Sequence, residues 1–192
     1  MTAILLAGPA TEPVTLAEAK AFLRVDGSDE DSFISTLITA ARLHAESVTG
    51  RATISQTWRV VIEAWPEDRI LRLPVAPLKA LSEIRAYDAE GNETVLPLAD
   101  FQPGSGQAPA LLYVPTPVSG MPLTRRHDAI EIDYVAGFGD APADVPEDLR
   151  HAVLMLVGHW FEHRDAVIVA GSGAVVPAGF DRLVAPYRAV RL

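Results

Sequence analysis

The feature that most constrains the fold is a change of period part-way along the chain and a change back near its end. Residues 29–49 carry Phe33, Ile34, Leu37, Ile38, Ala41, Ala45 and Val48 at the spacing that lines up on one side of a helix, and Gly50 supplies a stop. Beyond Gly50 the pattern becomes short runs punctuated by proline and glycine, at 56–65, 70–73, 81–87, 94–96, 110–114 and 130–135. Such runs read as a small, mostly antiparallel sheet. Helical spacing returns at about 146–164, where Leu149, Val153, Leu156, Val157, Trp160 and Phe161 form a broad apolar stripe. Pro146 is tolerated in the first turn, and Glu147 and Asp148 suit the positive end of the helix dipole. Two stripes that must be buried, with strands between them, predict an α+β fold: amphipathic helices packed together, a small antiparallel β-sheet at about 54–135, and an extended C-terminal arm.

Local signals refine this outline. Thr15 and Glu18 have the spacing of a capping box, so a short helix is expected at about 16–24, and the acids after Ser28 suit the start of the next one. The stretch 89–92, Ala-Glu-Gly-Asn, supplies a hairpin turn. Residues 103–127 are rich in glycine, proline, serine and threonine and predict a projecting loop. A glycine-rich stretch at 170–174 predicts a hinge, which divides the chain into a body at 1–170 and a hinged tail at 171–192.

Composition removes several classes of function. With 192 residues, 49% hydrophobic and 21% charged, the chain fits one folded domain with appended arms. It contains no cysteine, so disulfides, thiolate metal sites and cysteine nucleophiles are excluded, as suits a protein made in the cytoplasm. The apolar N-terminal stretch lacks a basic lead and is too short to span a bilayer, so neither export nor a membrane anchor is expected. A net charge of −9 argues against gripping nucleic-acid phosphates over a broad surface. The charge is uneven: 1–50 holds seven acids against three bases, whereas 180–192 holds Arg182, Arg188 and Arg191 against Asp181 alone. Phe180, Leu183, Val184, Tyr187 and Val190 lie among those arginines, a composition favoured in buried interfaces.

Candidate chemistry is sparse. His159 and His163 are four apart with Glu162 between them, and His151 lies on the same helix, so a metal site and ordinary helix-surface histidines are both readings. The order His-Trp-Phe-Glu-His lacks the glutamate directly after the first histidine that a zinc hydrolase uses on its metal-bound water. The glycines at 137 and 139, and at 171 and 173, complete no phosphate-binding pattern and read as turn and hinge residues. Trp58, Trp65 and Trp160 read as core aromatics. No catalytic residue, metal or cofactor is assigned.

Taken in order, several segments carry a resemblance. They are Thr15 through Asp26; Ile38-Thr-Ala-Ala-Arg42 through Val48-Thr-Gly-Arg51; Gln56-Thr-Trp58; Leu73-Pro74 with Pro77-Leu78; Tyr134 through Gly139; Val145-Pro146 with Leu149 through Ala152; and Gly158 through Arg164. This ensemble resembles the head-tail connector (adaptor) family of tailed phages and gene transfer agents. The loop 103–127 and the tail beyond Gly171 match least well. The resemblance implies a mainly helical domain with a β insertion, a structural subunit that assembles as a ring, commonly twelve-fold, beneath the portal of a DNA-filled head. That ring extends the DNA channel, through which DNA passes without specific binding, and it links the portal to a stopper or other neck protein. Localisation would be cytoplasmic during synthesis and then in the particle neck, with no membrane partner. On this reading Phe180, Leu183 and Tyr187 would anchor the tail in a portal groove while Arg182, Arg188 and Arg191 pair with portal acids; the alternative for the tail is a C-terminal segment packed on its own core. A neck stopper or tail-completion protein, a metal-dependent hydrolase using His159 and His163, and a small-ligand module are the alternatives.

Overall fold

The structure is a computed structural model that describes residues 1–104, 109–163 and 176–188. In chain order the elements are β1 (Thr2–Ala7), α1 (Leu16–Leu23), α2 (Asp31–Thr49), β2 (Gln56–Ile62), β3 (Ile70–Leu73), β4 (Leu78–Tyr87), β5 (Glu93–Val95), β6 (Gln102–Pro103), β7 (Ala110–Tyr113), β8 (Ile130–Ala136), α3 (Glu147–Glu162) and α4 (Ala178–Val184). Five strands form one antiparallel sheet in the order β1-β2-β8-β4-β5, and three form a second in the order β3-β7-β6.

The helix signals act as the sequence predicts. Glu18 N–H donates to Thr15 Oγ1 at 3.2 Å and Thr15 N–H donates to Glu18 Oε2 at 2.8 Å, closing the capping box of α1. Those bonds hold the Glu18 carboxyl below its ordinary range, the backbone donor at Thr15 being the main cause. Gly50 ends α2 in the left-handed region at φ 66, its N–H donating to Glu46 O at 2.8 Å.

Two apolar cores follow. The stripe of α2 (Ile34, Leu37, Ile38, Ala41, Ala45) meets that of α3 (Leu149, Ala152, Val153, Leu156, Val157). Val60, Ile62, Ile84, Ile130, Ile132 and Tyr134 point from the larger sheet onto Leu71, Leu73 and Leu112 of the smaller one. The chain between α2 and β2 stitches the cores together, since Ala52 belongs to the sheet core and Ile54 to the helical one. Glu46 on α2 is the fastening: its Oε1 accepts from Thr53 N–H, Thr53 Oγ1 and Gln56 Nε2, each at 2.8 Å, and its Oε2 accepts from Arg42 Nη1 at 2.8 Å. Gly137 lies where two stretches of chain cross: at φ 143, a Cβ there would stand 2.7 Å from the Ser55 backbone.

Three expectations need correction. The fold is α+β but not mainly helical: eight strands in two sheets stand beside four helices among the described residues. The cause is that the runs 70–73 and 110–113 pair with one another as a second sheet, and that the N-terminal stretch Thr2–Ala7 is a strand. The described part of 103–127 does not stand away from the body as a projecting loop. Pro103 and Leu112 pair, Val118 and Met121 pack on the sheet core, and Arg125 N–H donates to Tyr87 O at 3.0 Å. Nor does the described part of the tail hang free, because 178–184 is a helix whose Phe180 and Val184 enter the helical core. The glycine stretch at 170–174, read as a hinge, lies outside the described residues.

Candidate partner-binding site

Of the six tail residues singled out by sequence, the five that the structure describes do not form one surface. Phe180 is 1% exposed and sits 5.4 Å, ring to ring, from His44 of α2, which in turn meets Trp160 of α3 edge-on at 6.1 Å. Leu183 packs half-buried on the same core, next to the fully buried Val184. Tyr187 is half-buried as well: its ring meets Phe138 edge-on at 6.3 Å, and its carbonyl accepts from Arg51 Nε at 2.8 Å. The Arg51 guanidinium also lies 5.7 Å from the Tyr187 ring centre. Arg182 and Arg188 face solvent, the latter paired with Asp181. Arg191 lies outside the described residues.

The reason is periodicity. Phe180, Leu183, Val184 and Tyr187 recur at three- and four-residue steps, the spacing of a helix that buries one side. The gap beside His44 and Trp160 provides that burial, and full burial of a side chain the size of Phe180 stabilises by about 1.5–3 kcal/mol. What this segment shows outward is charge.

A second surface was not legible in the sequence. On the side of the large sheet away from its core, Arg59 Nε and Nη2 donate to the two Asp133 oxygens at 2.7 and 2.8 Å. Arg85 Nη1 adds a contact to Asp133 at 3.3 Å, Glu131 lies 3.0 Å from Arg59, and Glu83 pairs with Arg85. The fork-shaped bond from Arg59 is the largest cause holding the Asp133 carboxyl below its ordinary range. Strict alternation in β8 (Ile130, Glu131, Ile132, Asp133, Tyr134) marks these side chains as outward, but their pairing depends on cross-strand register.

The histidines do not gather as a metal centre. The His159 and His163 rings lie 4.5 Å apart, but His163 Nδ1 is 2.9 Å from the His159 carbonyl oxygen and His151 packs edge-on against Phe22. Among the described residues no three His, Asp or Glu side chains converge as ligands. The tryptophans pack as expected, Trp58 and Trp65 on the sheet core and Trp160 on the helical core. None of the described helices is long and apolar enough to cross a membrane.

A buried structural interior and a charged exterior, with no assembled catalytic group, agree with what the chain is similar to. The family model of the head completion protein matches residues 12–174. The chain belongs to the head completion protein family. Membership makes it a structural protein of a particle and not an enzyme. Among solved structures it is similar to a chain in the neck of an empty gene transfer agent particle with C6 symmetry, at 26% identity and a TM-score of 0.83, over 100% of this chain and 97% of that one. A chain in the virion of a native gene transfer agent particle has the same identity and coverage with a TM-score of 0.79. One in the neck of a native particle with C12 symmetry is 27% identical, with a TM-score of 0.72 over 98% of this chain and 97% of that one. No curated protein sequence matches.

Proposed function

We propose that this head completion protein is a head-tail adaptor subunit: it forms a ring, twelve-fold in the particle, below the portal, extends the DNA channel and joins the portal to the next neck protein. The observation that carries the reading is the similarity over the whole chain, at a TM-score of 0.83, to a neck chain of a gene transfer agent particle. Charge supports it, since a body of net −9 lets DNA slide past without condensing on it.

In this reading the outward arginines of the C-terminal segment, Arg182 and Arg188 with Arg191 beyond them, meet acids on the portal, while Leu183 and Tyr187 flank that contact and Phe180 holds the segment in place from beneath. Deleting 180–192 would therefore open the core as well as remove the contact, so charge reversal is the cleaner test. Tagged chain pulled from a lysate induced for particle production should bring down portal. The triple variant Arg182→Glu, Arg188→Glu, Arg191→Glu should recover about tenfold less of it. Undiminished portal recovery would defeat docking through these arginines. Recovery of tail proteins and no portal would identify a stopper or tail-completion protein instead.

A further inference from the structure

The N-terminal strand is an exposed edge of the larger sheet. Natural sheets blunt their edges with charge, proline, bulges or a covering element. Among the described residues strand β1 pairs only with β2, all six of its residues are exposed, and Ile4, Leu5 and Leu6 are 44%, 48% and 45% accessible. No charged side chain occurs before Glu12. Beside the strand runs a groove of about 460 Å³ in which Leu5, Leu43, Trp58 and Val75 stand together with Arg42, Glu46 and Arg51. Leu43 is itself 54% accessible.

We propose that the β1 edge and this groove receive the β5 edge of a second copy of the chain, so that the five-stranded sheet continues from one subunit to the next. The proposal rests on the ring-forming adaptor reading and names the contact on which that ring turns. Charge selects the occupant. Two bodies of net −9 repel wherever unpaired charges approach, so copies meet at least cost where one side is the uncharged β1 strip and the nearby charges are already paired within the subunit, Arg42 with Glu46 and Glu93 with Arg85.

Symmetry selects the edge. A β1-to-β1 contact is self-complementary and closes at two copies, whereas a larger ring needs two different surfaces on opposite sides of the subunit. In the order β1-β2-β8-β4-β5 the opposite edge is β5, four strand spacings or about 19 Å away. Among the described residues it has no strand on its outer side, and it carries Val95, 55% accessible. Because every neighbouring pair is antiparallel, β1 and β5 run in the same direction, and rotation about a ring axis brings them together as a parallel pair whose outward N–H and C=O groups have no strand partner among the described residues.

The absence of cysteine makes the test specific. Full-length chain carrying both Leu5→Cys and Thr94→Cys, which the register places on the same face of the sheet, is treated with a short bismaleimide in assembled particles and, separately, as concentrated purified protein. A ladder of covalent species beyond the dimer, absent from either single-cysteine chain, is the expected result. Dimers from Leu5→Cys alone would show a self-complementary contact and overturn the proposal. So would cross-links from Leu5→Cys to a different particle protein, or no ladder from chain that is present in the neck. As a second measurement, Leu5→Lys should reduce incorporation into particles about tenfold while leaving the unfolding midpoint of the free chain unchanged. The two failures are separable: wild-type chain missing from purified particles defeats the adaptor reading, and the ladder from concentrated protein then still decides the β1 contact.

Discussion

The two terminal segments make similar use of apolar residues and meet opposite fates. At the N-terminus Ile4, Leu5 and Leu6 stand on an exposed strand, whereas at the C-terminus Phe180 and Val184 are fully buried in the helical core. Period accounts for the difference. Consecutive apolar residues on a strand point to alternate faces, so a single neighbour cannot cover them all, while residues three and four apart on a helix share one side that a single gap can cover. Apolar composition at a chain end therefore does not distinguish a segment that completes its own domain from one that waits for another surface. Its repeat does.

The largest expected effect tests the buried end. Phe180→Ala should lower unfolding stability by about 3–5 kcal/mol in a urea titration, because the cavity would lie between α2 and α3. A variant with wild-type stability would break the contrast and return the segment to the role of a free arm.

The sheet that carries β1 is tested next through Asp133. Asp133→Asn should cost about 1–3 kcal/mol at neutral pH by leaving Arg59 and Arg85 short of a charged partner. The pH dependence follows from the direction of the shift. Asp133 is depressed in the folded state, so its stabilisation is present above the ordinary aspartate value of 3.8 and is lost as pH falls through the lower folded value. Thermal scans from pH 5 to about 2 should fall more steeply for the wild type than for Asp133→Asn. Parallel curves would remove the ion pair as a source of acid sensitivity.

Smaller again is the tether on α4. Arg51→Ala removes the bond to the Tyr187 carbonyl and should cost about 1 kcal/mol. Hydrogen exchange should speed up in 178–187 while β8 stays protected. Equal acceleration in both regions would show that the segment opens only with the whole domain. The smallest effect belongs to the exposed end: Leu5→Lys should alter the stability of the isolated chain by less than about 0.5 kcal/mol. A large loss there would mean that β1 holds up the fold on its own account.

Much of the frame was legible in the sequence because its signals are local. Thr15 with Glu18, the glycine at position 50 and the run Ile70–Leu73 each carry their structural consequence within a few residues. Strand β1 was missed because Ile4, Leu5 and Leu6 run without alternation, and such a run invites the question of membranes before that of sheets. Strand β6 is two residues long and has no pattern to read. The candidate site was less legible than the fold. The stripe of Phe180, Leu183 and Tyr187 reads the same whether it covers a neighbour or its own core, and the Arg59–Asp133 ladder exists only once β2 and β8 are in register.

Glu46 has a mechanical consequence. Its two oxygens take hydrogen bonds from α2 itself, from the link that follows it and from the first residue of β2, all with little water nearby. Separating helix from sheet would strand several of these groups at once, so no one bond gives way before the others. Force entering at the sheet edge thus reaches the helices as through a welded bracket, and the subunit tilts whole where a looser seam would let it bend.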